Sequence, residues 1–536
     1  MTRFSGAIGA PACAGATGVE GLGAYSSRPF KKEAGAFLLL LFLAAVYYAA
    51  LIVYQSVEIK GAVYFLPADD VLIAMNYART FVRTGELVWF PGAARVEGIT
   101  SPLWTLLLAG LQLVPISLPA SGLLVQALGA VVMLLTLFLV RRLALLIESD
   151  RTFAFTASVV VATCFSVVST ALAGWESSAI ALLVVALVCI AIAPDRFPIV
   201  GYLLIVVGVL LRLDFLVAAL PIALYLILRR KAGWLAVLLT LLLPTCLLTI
   251  WRWGYYGVPL PNTWFAKMTG FPLELRLMRG LWVTLQDCWR WNVLLIALPF
   301  LALTCKRNRD DRTLLPCAVF ATQAMYSAFV GGDILHDEMW GSRFLIVALP
   351  AFLPVVMGQL SRILASLAPT LSATSRYLIA GALVFVSVSP LDRVLMVARP
   401  LSWDAARQVR KALWIREHTP MAAVVGVAQA GVVPYFCERP CVDFLGKCDP
   451  VVARMSGHLA PEGLNRFTWF VPGHVKWSAR YSIGQLRPDV VAGIWRNSNE
   501  WLGVLQEAGY RAVVIDDVSD TTEPIWVRPG FIRESD

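Results

Sequence analysis

The sequence is poor in charge and in histidine. Asp, Glu, Lys and Arg together make up 15% of 536 residues, and there are four histidines. Soluble domains carry about 25% charged residues. A fully hydrated surface cannot be built from so little charge, so a soluble globular enzyme is excluded. A disordered chain is excluded too, because 58% of the residues are hydrophobic and disordered chains are poor in apolar residues. The cysteines show no zinc spacing. Cys164, Cys189, Cys246, Cys288, Cys305 and Cys317 lie in or beside apolar runs, where a thiol acts as a small hydrophobe. Cys437, Cys441 and Cys448 cluster in a more polar stretch, and a disulfide between two of them stays open. No internal repeat is visible.

What is present is long apolar sequence. Mean hydropathy is +0.71, and 18 tryptophans suit a chain that meets many membrane interfaces. This composition predicts an α-helical polytopic membrane protein. Lys31 and Lys32 precede a first apolar run near 35–54, which reads as a retained span, after a Gly/Ala/Ser-rich and disordered segment 1–27. Further runs follow near 120–140, 152–173, 178–194, 198–211, 215–228, 232–251, 291–305, 313–330, 344–360 and 377–396. The expected total is about eleven spans. The shorter stretch after Pro102 reads as a re-entrant or interfacial helix.

Loop charges set the orientation. With the N-terminus inside, the inner loops hold Arg28, Lys31, Lys32, Arg141, Arg142, Arg151, Arg196, Arg229, Arg230, Lys231, Lys306, Arg307, Arg309, Arg312, Arg362 and Arg376. That is sixteen basic residues, against eleven in the much longer outer loops. The positive-inside rule describes this asymmetry. The net charge of +10 is therefore first a topology signal, and no nucleic-acid partner is expected. The expected organisation is a cytoplasmic N-terminus 1–33, a membrane module 34–399 with a large outer loop 55–119, and an extracytoplasmic α/β domain 400–536. The last rests on short β-type runs at 422–428, 441–445, 488–494 and 511–517 that alternate with helical stretches.

No ionisable residue falls in the middle of a proposed span, which speaks against an ion-coupled transporter. The polar candidates gather on the outer face instead. They include Asp69, Asp70, Glu97, Glu176, Arg212, Asp214, Lys267, Asp333, Arg343 and the histidines His336, His418, His458 and His474. Asp69 and Asp70 open an amphipathic helix with Val71, Leu72, Met75, Ala78 and Val82 on one side and Asn76, Arg79 and Arg83 on the other. One aspartate caps that helix, or one is a general base and the other orients it or holds a cation. Glu176 is a first-turn acid or a site group. Arg212 and Asp214 are a hairpin ion pair or a site. Lys267 snorkels or binds, and the Asp333–Arg343 loop and the His474–Lys476 segment are solvated turns or contribute contacts.

In order, the pieces DDVLI, VEGITSPLW, GWE, YYGVPLPNTWFAK, GGDILHDEMWGSRF, QAGVVPYFCERPCVDFLG and PGHVKW resemble those of bacterial GT-C membrane glycosyltransferases. The likeness is to the group holding the terminal arabinofuranosyltransferases of mycobacterial cell walls. It covers the chain from Asp69 to about Lys476. Ile99 replaces the usual aromatic, Asn76 a frequent Arg and Gln429 a common acid. The loop from Gly331 to Arg343, with His336, Asp337 and Glu338, is longer than usual.

The resemblance implies a sugar, arabinofuranose in the named group, passed from a polyprenyl phosphate donor to a glycan, lipid or protein acceptor outside a bacterial inner membrane. On it, Asp69 or Asp70 is the base, and Arg343, Lys267 and Arg212 are phosphate ligands. Glu176, Asp333, Asn262, His474 and Lys476 complete the substrate contacts. A divalent cation at the two aspartates is allowed but not required. A lipid-linked saccharide flippase and a non-catalytic envelope protein are the alternatives.

Overall fold

The computed structural model describes residues 28–193, 199–304, 310–334, 336, 341–390, 398–496, 499–515 and 524–531. The disordered-segment expectation for 1–27 lies outside the described residues, as do Arg196, Lys306, Arg307, Arg309, Asp337 and Glu338.

Among the described residues the expected apolar runs are helical, with 152–173 and 344–360 each split between two helices. The first is α1, Arg28–Gln55. Among the described residues, five helices are long and apolar enough to cross a membrane: Gly35–Gln55 within α1, Ser121–Ile147, Trp234–Tyr256, Asp311–Val330 and Leu349–Leu367. A pair bent by 54°, Arg151–Thr163 and Phe165–Leu172, makes a sixth if counted as one span. The expected count of about eleven is not confirmed by length and composition among the described residues. The helices Ser177–Ile192, Ile199–Leu211, Phe215–Leu228, Val293–Thr304 and Ala373–Val388 run for 12 to 16 residues. At 1.5 Å per residue they fall short of a hydrocarbon core of about 30 Å. The chain is a multi-pass membrane protein.

After α1 comes a hairpin of β1 (Val57–Ile59) and β2 (Ala62–Tyr64). Lys60 and Gly61 both have positive φ, 50° and 74°, as a tight two-residue hairpin turn demands. Helix α2 then runs Asp69–Thr84. Its acids favour the helix N-terminus, and Gly85 ends it at φ 75°, where its N–H reaches Phe81 O. The expected two-faced pattern holds only in part. Asn76 is buried and Val82 exposed, because chain from the far end of the sequence covers the polar face. Helix α3, Pro102–Gln112, starts on proline and buries Trp104 and Leu108. Its 11 residues cannot span a bilayer. Helix α4 is the long Ser121–Ile147.

Beyond residue 400 lies a sheet with order β4-β3-β5-β7-β6. β3 (Val425–Val427) pairs parallel with β4 (Cys441–Asp443) and with β5 (Val490–Val491). β7 (Ile525–Val527) pairs antiparallel with β5 and with β6 (Arg511–Val513). Each of the four β-type runs read from the sequence contains one strand; β7 was not expected. One apolar cluster joins Tyr48, Phe153, Val184 and Phe352 of the helical bundle to Val425, Phe436 and Ile525. A smaller cluster forms around Phe444, Trp477 and Trp501. The sheet region is thus packed against the bundle through buried side chains. Cys437, Cys441 and Cys448 are free thiols.

Candidate functional site

The first turn of α2 is the centre. Asp70 Oδ1 accepts from Lys447 Nζ at 2.7 Å, and Asp70 Oδ2 accepts from an Arg343 N–H at 3.3 Å. Arg343 opens the short helix Arg343–Ile346. Its guanidinium forks onto Asp333, with Nε to Oδ2 at 2.7 Å and Nη2 to Oδ1 at 3.0 Å. It also lies 4.3 Å from the centre of the Trp175 ring, in the GWESS turn. Paired carboxylates on one side and an aromatic face on the other fix the fork, which a flexible ammonium would not match.

Burial alone would push the Asp70 carboxyl up. Lys447, Arg343 and Lys267 outweigh it and hold Asp70 well below the usual range. Asp333 is likewise buried but held low by Arg343. Asp69 behaves in the opposite way. Burial pushes it up to about 6, against Lys447 and two backbone N–H groups. Those N–H groups belong to Gly431 and Val432, 3.1 and 2.8 Å from Asp69 Oδ1. Asp69 therefore does cap a helix start, but that of Val432–Cys437 and not its own. A Cβ on Gly431 would run into the Asp69 backbone carbonyl, so only glycine lets the two segments meet. The Asp70 side chain is 30% exposed, whereas those of Asp333 and Arg343 are 3% and 8% exposed. Of Asp70 and Asp333, Asp70 is thus the carboxylate an incoming group can reach.

Lys267 lies in the last turn of the helix Asn262–Met268. Among the described residues it makes no hydrogen bond or ion pair. Burial lowers it to about 8, and Arg343, Arg212 and Lys447 add to the effect against Asp70. Gly473 packs on its stem. The next residue, His474, is buried, and its Nδ1 has no hydrogen-bond partner. Burial first, then Lys447 and Lys267, hold its imidazole well below the usual value, so the ring is neutral. Asp70, Asp333, Arg343, Lys267 and His474 were all expected from the sequence, and they converge here.

Other expected residues serve nearby or elsewhere. Arg212 binds Glu176 at 2.6 Å and Asp214 at 2.8 Å, and Tyr326 donates to Asp214 at 3.0 Å. This group of four flanks the cluster, and Arg212 and Arg343 line one small crevice. The Asn262 amide donates to the carbonyls of Gly446, Lys447 and Asp449 at 2.9 to 3.2 Å. It is a strut for the loop that carries Lys447. Lys476 does not join the cluster: its Nζ is held by Phe265 O at 2.9 Å, Ala453 O at 2.7 Å and Thr269 Oγ1 at 3.3 Å. His336 sits with Asp287 and Arg290, where Asp287 also accepts from Ser342 N, one residue before Arg343. Glu97 of the VEGITSPLW stretch forms a buried pair with Arg252 at 2.8 Å. His418 and His458 bond the carbonyls of Trp414 and Trp477.

Lys447 is the residue sequence reasoning missed. Its only signal is a lone basic side chain directly after the DFLG run. Around Asp70 the positions a divalent cation would take are filled by Lys447 and Arg343. Among the described residues no group of three or more His, Cys, Asp or Glu could hold a metal ion.

Chemically, the cluster offers an ionised and reachable carboxylate, a fixed guanidinium, two ammonium groups of which one is uncommitted, and a neutral imidazole. Such a set binds a phosphate through charge-assisted hydrogen bonds and can accept a proton.

Residues 400–524 match a family described as "Domain of unknown function (DUF8728)". No curated protein matches the chain. Among solved structures, the chain resembles ArnT from Cupriavidus metallidurans in the apo state, at 12% identity with a TM-score of 0.53, over 92% of this chain and 98% of that one. It resembles ArnT bound to undecaprenyl phosphate at 11% identity with a TM-score of 0.53, over 91% and 97%. At this identity the likeness establishes the shared GT-C fold. The arabinofuranosyltransferase resemblance rests on the sequence motifs alone.

Proposed function

We propose that the chain is a membrane glycosyltransferase of the polyprenyl-phosphate-dependent kind. The carrying observation is Lys267, an uncommitted cation beside the Asp70–Arg343–Lys447 network. A cation kept unpaired and half-buried costs stability, and an anionic ligand repays it. The fold shared with ArnT, one structure of which holds undecaprenyl phosphate, supports a lipid phosphate as that anion.

In the reaction, the acceptor hydroxyl attacks the anomeric carbon as the bond from that carbon to the phosphate oxygen breaks. Asp70 takes the hydroxyl proton. Polyprenyl phosphate leaves with the bonding electrons, and Arg343 and Lys267 stabilise it. The bound phosphate takes up part of the charge that Arg343 and Lys267 present to Asp70. The Asp70 carboxyl rises as their charge is shared, which makes it a better base with donor bound. Asp333 holds the Arg343 fork in place, and Asp69 ties α2 to the turn at Gly431. Arabinofuranose is the sugar the motifs favour, and the segment 400–536 is assigned to an extracytoplasmic acceptor-binding role. Purified protein offered a panel of polyprenyl-phosphate sugars should release polyprenyl phosphate with one of them. No release with any donor, from a protein whose thermal stability none of them changes, overturns the reading.

A further inference from the structure

The far end of α2 carries a second charged cluster. Arg79, Arg83 and Arg416 all converge on Glu438, at 3.3, 3.1 and 3.1 Å. Three guanidinium groups on one carboxylate leave positive charge uncompensated. Glu438 is held at φ 52°, a strained geometry for a residue with a side chain. Arg79 also stacks on Tyr435 at 4.3 Å. Clefts of about 300 Å³ and about 450 Å³ open on the two sides of this cluster.

The two clefts differ in their walls. The larger is lined by Asn76, whose side chain is buried and whose Nδ2 has no hydrogen-bond partner. Asn76 Oδ1 is already engaged by Arg79 at 2.8 Å. The smaller cleft has an apolar side formed by Val82, Leu111, Val114 and Ile116. Val82, Val114 and Ile116 are exposed at the surface.

We propose that this is a second anion site, which takes the phosphate-bearing headgroup of an amphiphilic lipid. The arginines meet the phosphate in the smaller cleft, and the hydrocarbon lies along its apolar side near α3. Neither a free phosphate nor a neutral lipid uses both walls. The site is separate from the Asp70 cluster. Arg79 and Arg83 lie nine and thirteen residues along α2 from Asp70, about 14 and 20 Å at the helical rise. The inference concerns binding and does not rest on the transferase reading.

The test is photo-crosslinking in phosphatidylcholine nanodiscs, with a diazirine-bearing phosphatidic acid as probe and adducts mapped by mass spectrometry. The expected adducts fall on the peptides around 79–83 and 111–116. Arg83→Glu/Arg416→Glu should reduce them at least tenfold. The charge-matched control Arg466→Glu/Arg480→Glu, at exposed positions outside both clefts, should leave them unchanged. Thermal stability of each variant is measured alongside. Equal labelling in the Arg83→Glu/Arg416→Glu protein, or equal labelling by a diazirine phosphatidylcholine, overturns the proposal. Loss of labelling on addition of millimolar inorganic phosphate assigns the site to free phosphate and overturns the lipid assignment.

Discussion

Lys447 Nζ lies 2.7 Å from Asp70 Oδ1, across 377 residues of sequence. One residue opens the first amphipathic helix, and the other follows strand β4 of the C-terminal sheet. The contact sets the charge state of Asp70 and makes the tail part of the candidate site.

Lys447→Met removes that ammonium. The Asp70 carboxyl, depressed in the folded protein, should then rise towards the value burial alone would give it. A depressed carboxylate keeps its function above its pKa and loses it as pH falls through it. The acid limb of the rate profile should therefore move to higher pH. An unmoved acid limb would separate Asp70 from the proton transfer.

Asp70→Asn should lower turnover at least ~10²-fold, the lower range for a lost general base. Asp69→Asn should leave most activity, because an amide oxygen can still accept from Gly431 and Val432 N–H. Asp69→Ala cannot, and should loosen the tail in hydrogen exchange around 431–437. A large loss in Asp69→Asn with Asp70→Asn active would exchange the two roles.

Lys267→Met should abolish donor-dependent turnover while thermal stability holds or rises, since Arg343, Arg212 and Lys447 all repel this cation. Its pKa of about 8 lies below that of a free lysine. The cost of its charge is thus fully present below pH 8 and is relieved as pH rises beyond it. Donor affinity should fall over the same interval, because the neutral amine no longer attracts phosphate. A variant that binds donor normally would remove Lys267 from the site.

Arg343→Ala strands Asp333 in the interior and should cost about 3–5 kcal/mol, the usual result of breaking a buried pair. Asp333→Ala should cost a similar amount, and the double variant should cost less than the sum. Arg343→Lys should retain stability better yet lose more turnover than Lys267→Arg does. A thermal-shift cycle with additive losses would argue against the fork.

Asn262→Ala leaves the carbonyls of Gly446, Lys447 and Asp449 without their shared donor. A loss of about 1–3 kcal/mol is expected, together with the same pH shift as in Lys447→Met. Lost stability without that shift would confine Asn262 to the fold.

The sequence by itself determined that the chain belongs in a membrane, where its apolar runs form helices, and which loops carry the candidate site residues. Those properties are local: hydropathy over a window, a glycine after a helix, two acids at a helix start. Asp70, Asp333, Arg343, Lys267 and His474 could be named as candidates because they lie in polar motifs of loops expected on one face, and the structure brings them near one another. Sequence composition does not fix the span count, since a short apolar helix inside a bundle and a short span have the same composition. Nor does it fix the split between Asp69 and Asp70. Adjacent residues on a helix point about 100° apart, so one met the backbone of Gly431 and the other a ring of cations. Only the tertiary structure decided that. It also decided that Lys476 braces carbonyls while Lys447 reaches the carboxylate. A charge does not reveal its partner until long-range packing brings the two together and burial lowers the dielectric between them.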